Sequence, residues 1–574
     1  MQFCAFISRN FVKVVSFAAV AFFSLLAQGA TKVWTGGSGD WSDSANWLDQ
    51  ELPEAGDTVY VSNTVSDVTV NIDTEGVSLS SIRFEGVGTV TLAGEALTLT
   101  GTWSFMNYKA EENGNMKNYH TSTIPFLAYG SDVNCRVPLV FAPGNATQSG
   151  ICTATNTVHF YEQVSIQGDN KVLYIHDGLS PNDDDKAAGI TDNVNGFLYF
   201  HAPVVGESAV IQPQQAYTWQ AHFYDSLQVK SLNAYGWTGE KIYLYSSSNK
   251  LQNIDVDYSN TIIAGAPGVF PSNAVIRLQD TRYNPDGGIN LGNFDATIDR
   301  LDGTDAGNVL YANETRTGGG KIYSTANQDQ TGIPRPVTLT MKATADGTTA
   351  FVVHSDVSLV WDPEGDYTLT FTNRTSETTG NITAKGGKVK FAGNAAFPNV
   401  RFVDVYDNAD FEIASSAATP LSQSAFIRLG AGAKLVLADG VNITVGAISV
   451  DGACVADGGT YNSTENWIEG NGTVTVAGSS VCVWKSAASG SWSDADNWFG
   501  GVRRGRSFRL QRRILFGKGV QCRNGRGQAR RRQGEGDGER EQDARPLLSA
   551  QNRFRYRRRA SGRNVHIGQM MIRW

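Results

Sequence analysis

Short runs of alternating apolar and polar residues, closed by Gly, Asn or Asp, recur from residue 31 to residue 480. A chain written this way has few folds open to it. The runs include Val68–Ile72, Val90–Leu92, Leu97–Leu99, Val337–Met341, Tyr367–Phe371, Lys434–Leu437, Asn442–Val445 and Thr473–Val476. A period of two with turn residues between predicts half-buried β-strands, and no long stretch carries a helical stripe. A β-sandwich would need repeats of about 100 residues joined by clear linkers, and no Pro/Ser-rich linker interrupts 60–480. Short strands at close intervals suit a parallel β-helix, whose coils take roughly 20–25 residues. On that basis some 450 residues make on the order of 18–22 coils. The resulting rod would be about 90–105 Å long.

A solenoid exposes sheet edges at both ends, and these must be covered to prevent end-to-end stacking. The segment Val33–Trp47, VWTGGSGDWSDSANW, is the candidate N-terminal cover, with Trp34, Trp41 and Trp47 closing over the first coil. A sugar-binding role for these tryptophans is the alternative. The segment returns almost residue for residue at Val483–Trp498, where Trp484, Trp492 and Trp498 repeat the order. After Trp47 the chain continues into Pro53-Glu54-Ala55-Gly56-Asp57-Thr58 and a strand. After Trp498 it continues into RRGRSFRLQRR. One module is therefore complete, and a second is opened without its continuation.

Charge marks the same break. Residues 501–574 hold 21 Lys and Arg, 20 of them Arg, against 5 acids, whereas residues 1–500 hold 27 against 51. The overall −8 averages two unlike polymers. An Arg-rich arm could bind nucleic acid or another polyanion. A reading-frame slip near Val502 also produces such a tail, because CGN and GGN codons read one base late become GNN codons. Arg503-Arg504-Gly505-Arg506 would then become four GNN residues, as Glu54-Ala55-Gly56-Asp57 are in the first module. On the slip, 501–574 is expected to be disordered and nucleic acid is not an expected partner. At the other end, Arg9 and Lys13 precede an apolar run from Val14 to Leu26 and then Ala27-Gln28-Gly29-Ala30. This reads as a secretory signal peptide cut after Gly29 or Ala30. The run is short for a span of about 20 residues, and no other segment suggests one. The expected organisation is a signal peptide (1–30), a Trp-rich cap (31–60), a solenoid (61–480), the start of a truncated module (481–500) and an Arg-rich tail (501–574).

In an exported chain, Cys135 and Cys152 are the nearest disulfide candidates, with buried free thiols as the alternative. No Cys-x-x-Cys or Cys/His spacing suggests zinc.

Two signatures carry a family resemblance. VWTGGSGDWSDSANW…LPEAGDTV followed by GTVTLAGEALTLTG opens the module, and AKLVLADGVNITVGAISVDG with GGTYNSTENWIEGNGTVTVAG ends it. Over 31–100 and 400–498 the chain resembles bacterial surface proteins that carry autotransporter-associated β-strand repeats. The resemblance implies a right-handed parallel β-helix that is exported and acts as a stalk or adhesin-like display surface. It marks architecture rather than chemistry, and the translocator barrel of that group is not recognisable in this sequence.

Any particular function would sit in 103–400, which is rich in aromatics such as His159-Phe160-Tyr161, Phe197–Phe200, Phe223-Tyr224 and Tyr243-Leu244-Tyr245. Aromatic faces stack on sugars, so Trp219, Tyr235, Trp237 and Tyr243 are candidate ligands for a cell-surface or extracellular polysaccharide. Aromatics stacking inside a β-helix or padding its face are the alternative. Asp183 and Asp185, in the acidic loop 182–185, could hold a structural Ca²⁺, although the spacing is not that of an EF-hand and a solvated acidic turn is the favoured reading. No other cofactor is suggested. A glycosidase needs two facing carboxylates, and Asp295, Asp299, Asp302 and Asp305 are close in sequence; in so acidic a chain that is a cheap coincidence. A polysaccharide lyase would want cations in a cleft, for which Lys250, Arg277 and Arg282 are available. No nucleophile motif, phosphate loop or catalytic residue is identified. The expectation is a non-catalytic extracellular structural or adhesin-like solenoid, with a glycan-binding or polysaccharide-degrading β-helix as the alternative.

Overall fold

A computed structural model describes most of residues 29–477. The main gaps are 104–106, 111–115, 120–123, 177–195, 214–219, 235–240, 279–287, 304–309, 316–319 and 326–335, with short ones elsewhere. Beyond 477 only the strands Val481–Trp484, Trp498–Phe499 and Met571–Arg573 are described. The chain separates into two compact units, Met1–Gly478 and Ser479–Trp574.

The first unit is a parallel β-solenoid of about 13 turns. Among the described residues there is no α-helix, and so none that could cross a membrane. Alternation does the folding work. In strands such as Val68–Ile72, Thr157–Phe160 and Thr473–Val476, every second side chain points into a continuous apolar core. A one-residue slip in any of them would turn the whole apolar set outward, so burial fixes the register. Sheet columns run along the stack, including a 12-stranded parallel sheet from Gly39–Asp40 to Val352–Val353 and a 15-stranded sheet that begins at Thr31–Trp34. Two columns of the latter merge in the ten-residue strand Val204–Pro213. Its start extends the column of Val164–Ile166, and its end extends that of Val172–His176.

The expected 18–22 coils were too many. The estimate assumed uninterrupted coils, as where Phe126 pairs with Ile151 and Val389 with Phe411. Ile82, however, pairs with Phe126 across an insertion holding the hairpin Asn107–Ala110/Met116–Tyr119, and Ala296 pairs with Leu339. Insertions at the corners consume chain without adding a rung.

The two ends of the solenoid differ. At the start, Thr31–Trp34 and Gly39–Asp40 each pair parallel with the next turn, and Trp34 also bridges antiparallel to Trp47. At the finish the pattern turns antiparallel: Ala453–Cys454 folds back on Ala447–Val450, and Gly459–Tyr461 on Thr473–Val476. In the second unit, Trp484 pairs antiparallel with Trp498, as Trp34 does with Trp47.

Candidate functional site

The outward positions of four successive strands in the 12-stranded sheet carry a double ladder of rings. His159, Tyr199, His222 and Tyr243 are register partners, one per turn. Their centroids follow at 4.7, 4.9 and 4.4 Å, with planes within 25° of parallel. Two residues further along each strand, Tyr161, His201, Tyr224 and Tyr245 form a second column at 4.7, 5.2 and 4.8 Å. Parallel strands place equivalent side chains ~4.8 Å apart, about the separation at which stacked rings attract. The backbone therefore sets the stacking step. Between the two columns, on the inward side, Phe160, Phe200 and Phe223 stack at 4.8 and 4.6 Å inside the core. Each turn thus reads ring–apolar–ring: His-Phe-Tyr, Tyr-Phe-His, His-Phe-Tyr, Tyr-Leu-Tyr.

The columns are tied together at their polar tips. His159 Nδ1 and His201 Nε2 share a hydrogen bond of 3.0 Å, and His222 Nδ1 meets the Tyr245 hydroxyl at 3.2 Å. His222 Nε2 lies 3.2 Å from Gln220 Oε1. Both ends of the second column are also finished: the Arg136 guanidinium sits 4.2 Å from the Tyr161 centroid, and Tyr245 lies over Gly265. A Cβ at 265 would come within 2.3 Å of that ring, so any other residue there must displace it.

Partial burial shapes the chemistry of the ladder. It lowers all three histidines, His222 to about 4, and His159 is lowered further by His201 while Asp132 pulls the other way. Burial likewise raises Tyr199, Tyr243 and Tyr245, the last to about 12, with neighbouring tyrosines adding to the effect on Tyr199 and Tyr245. At neutral pH the three imidazoles and the phenols of Tyr199, Tyr243 and Tyr245 are therefore uncharged. The ladder's interior rings have both faces covered by neighbours. What they offer outward is edges, hydroxyls and ring nitrogens, with Tyr224 the most open at 44% exposure. Among the interior rings a sugar has no face to stack on; there it could only hydrogen-bond along the tips.

Of the candidate ligand residues, Tyr243 is in the ladder; Trp219, Tyr235 and Trp237 lie outside the described residues, as do Asp183 and Asp185. Among the described residues no three His, Cys, Asp or Glu side chains converge as a metal site. Arg277 faces Asp255 at 3.6 Å on the other large sheet, and Arg282 is outside the described residues. Asp299 is 5% exposed, is ion-paired with Arg300 and accepts the Thr344 N–H, so it serves the fold.

The disulfide expectation is corrected. Cys135 and Cys152 are both buried and are not joined in a disulfide. Cys135 belongs to the solenoid core and donates its thiol to the Val137 carbonyl, while burial pushes its pKa up to about 12. Cys152 lies in a different sheet and a separate small cluster with Ile124, Leu127 and Trp103. Proximity in sequence did not bring the two sulfurs to one face. The sugar-binding alternative for the tryptophans also fails: Trp34, Trp41 and Trp47 are no more than 3% exposed. Trp47 packs edge-to-face on the other two at 5.1 and 4.7 Å. The indole N–H groups of Trp34 and Trp47 are satisfied locally, by Gly37 O and Trp41 O.

The fold and the ladder define a parallel β-solenoid with stacked rings inside and outside one sheet. No protein-family model matches the chain, and neither a curated protein nor a solved structure matches it.

Proposed function

We propose that the protein is an exported, non-catalytic structural or adhesin-like solenoid, held at the cell surface or released from it. The observation that carries this reading is the engagement of outward side chains with the next turn. Around 157–245 they form the ring ladder. Around 388–434 they form ion pairs, Lys390 with Glu412 at 2.7 Å and Lys388 with Glu412 at 3.2 Å. Side chains engaged in this way resist shear between turns, which is what a stalk needs. The charged and apolar leader and the resemblance to surface repeat proteins add export. Protease treatment of intact cells of the source organism, followed by detection of the solenoid and of its N-terminus, tests the reading. A protein that is shaved from cells and lacks residues 1–29 or 1–30 is expected. Intact Met1-bearing protein recovered only in the cytosol would refute it.

A second reading, a polysaccharide partner, is favoured by one observation: the row of hydroxyls and neutral imidazoles at ladder spacing, with Tyr224 exposed. Co-sedimentation with insoluble β-linked polysaccharides tests it, and loss of retention in Tyr224→Ala would locate it. A structural Ca²⁺ at Asp183 and Asp185 predicts a lower unfolding temperature in EDTA, restored by added calcium.

A further inference from the structure

The least exposed carboxylate near the start of the solenoid is Asp57, at 4%. It closes the turn before the strand Thr58–Val61, where its Oδ2 accepts the Glu54 N–H at 2.9 Å. Its other oxygen, Oδ1, accepts the backbone N–H of Ala30 at 2.6 Å, the shorter of the two bonds. The backbone fixes this meeting: Thr31–Trp34 runs parallel to Thr58–Val61 in register, and the Thr58 N–H donates to the Ala30 carbonyl at 2.8 Å. A carboxylate taken out of water is costly unless it is paired and hydrogen-bonded. Lys32, the nearest cation along the strand, is engaged with Glu51 at 2.5 Å.

The residue before Ala30 is confined by the same turn. A Cβ at position 29 would lie 2.0 Å from the Gly56 carbonyl oxygen, so only glycine can precede Ala30 there. The leader has small residues, Ala27 and Gly29, at the third and first positions before the Gly29–Ala30 bond, the spacing a signal-peptide cleavage site requires. Cleavage one residue later would place Gln28 at the third position and remove the nitrogen that Asp57 holds.

We propose that the chain is processed between Gly29 and Ala30 and that the α-ammonium released on Ala30 becomes the ion-pair partner of the buried Asp57 carboxylate, locking the first strand onto the solenoid. Hydrolysis of that one peptide bond converts a neutral amide donor into a cation at a position where an anion already waits. The inference rests on the export reading above and adds the position of the cut and the purpose of the new terminus. The sign of its pH dependence follows. An α-amino group has an unperturbed pKa of ~7.7–8.0. Pairing with Asp57 raises it in the folded state. The stabilisation is then complete below about pH 7.7 and lost as pH rises through the raised folded value.

The test uses the chain from Ala30 to Trp574 with a free amine, the same chain Nα-acetylated at Ala30, and Asp57→Asn with each terminus. Acetylation keeps an N–H donor at residue 30 and removes only the charge. The free-amine chain is expected to unfold at a temperature higher by roughly 2 °C at pH 6. The difference should vanish at pH 10 and in Asp57→Asn. Equal midpoints for the free and acetylated chains at pH 6 would overturn the ion pair. If Asp57→Asn does not fold, the pH dependence of the free-versus-acetylated difference decides alone. Mass spectrometry of the exported protein separates the two layers: a terminus at Thr31 overturns this inference and leaves export standing, whereas a retained Met1 overturns the export reading beneath it.

Discussion

The turns around 157–245 and those around 388–434 are built on the same parallel backbone but bond to their neighbours differently. In the first region the outward positions carry stacked His and Tyr rings over a core stack of Phe160, Phe200 and Phe223. In the second they carry Lys388, Lys390, Asp410, Glu412 and Lys434 over a core with Phe391 and Phe411. Inside, both regions depend on apolar packing. Outside, one uses uncharged ring stacks and the other uses charge. The inward positions of a solenoid are constrained by volume, whereas the outward positions are constrained only to match the neighbour one rung away.

The largest expected effects fall on what the regions share. Phe200→Ala and Phe411→Ala should each cost about 3–5 kcal/mol, read as lost urea resistance of the corresponding turns by hydrogen exchange. If one were far cheaper than the other, the two cores would not be equivalent. The outer faces come next, and there the regions should separate. Tyr199→Ala removes its close stacks on His159 and His222, each worth about 0.5–1.5 kcal/mol beyond burial. Glu412→Ala removes partly exposed ion pairs whose typical worth is about 0.2–1 kcal/mol. Equal losses would erase the distinction between them.

Acid should sharpen the contrast. The three ladder histidines have folded pKa values depressed below the ordinary 6.5, so the unfolded chain binds protons first. Their neutral forms leave stability intact above about pH 6.5, and it declines as pH falls toward the folded value of about 4 for His222. His159 and His201 face each other nitrogen to nitrogen, so protonating both would oppose two cations across one hydrogen bond. In the second region, burial pushes Glu412 up but the hydrogen bonds and charges of Lys390 and Lys388 together hold it below 4.5. Its contribution persists above 4.5 and is lost only in stronger acid. Exchange protection, corrected for intrinsic rates, should therefore fall in 197–245 before 388–437 on going from pH 7 to pH 5. His222→Phe, which keeps a ring in the stack, should move the first loss to lower pH. The smallest effect is expected from Gly265→Ala, which crowds Tyr245 at the end of one column and should loosen only the turn of 241–245.

Much of this architecture was legible in the sequence. Val68–Ile72, Leu97–Leu99, Val337–Met341, Lys434–Leu437, Asn442–Val445 and Thr473–Val476 are strands at the limits their alternation predicted. A period-two pattern is local, and the core reads it directly. The number of turns was not legible, because insertions such as the one between Phe84 and Phe126 resemble further strands in composition. The ladder was half legible. The aromatic runs were noticed, with stacking in the core and padding of the face left as alternatives, and both occur: Phe inward, His and Tyr outward. The signal that could have shown it is the ring–apolar–ring triplet recurring at His159–Tyr161, Tyr199–His201, His222–Tyr224 and Tyr243–Tyr245. The thiol pair was misread because nearness in sequence does not determine which sheet a strand joins.

The most direct test of the account is a pair of double-mutant cycles, one at Tyr199 and His222 and one at Lys390 and Glu412, each measured in low salt and in about 1 M salt, where screening acts over ~3 Å. The account predicts a coupling between Tyr199 and His222 that is favourable and unchanged by salt, and a coupling between Lys390 and Glu412 that shrinks toward zero. A ring coupling of zero, or the same salt response at both sites, would contradict it.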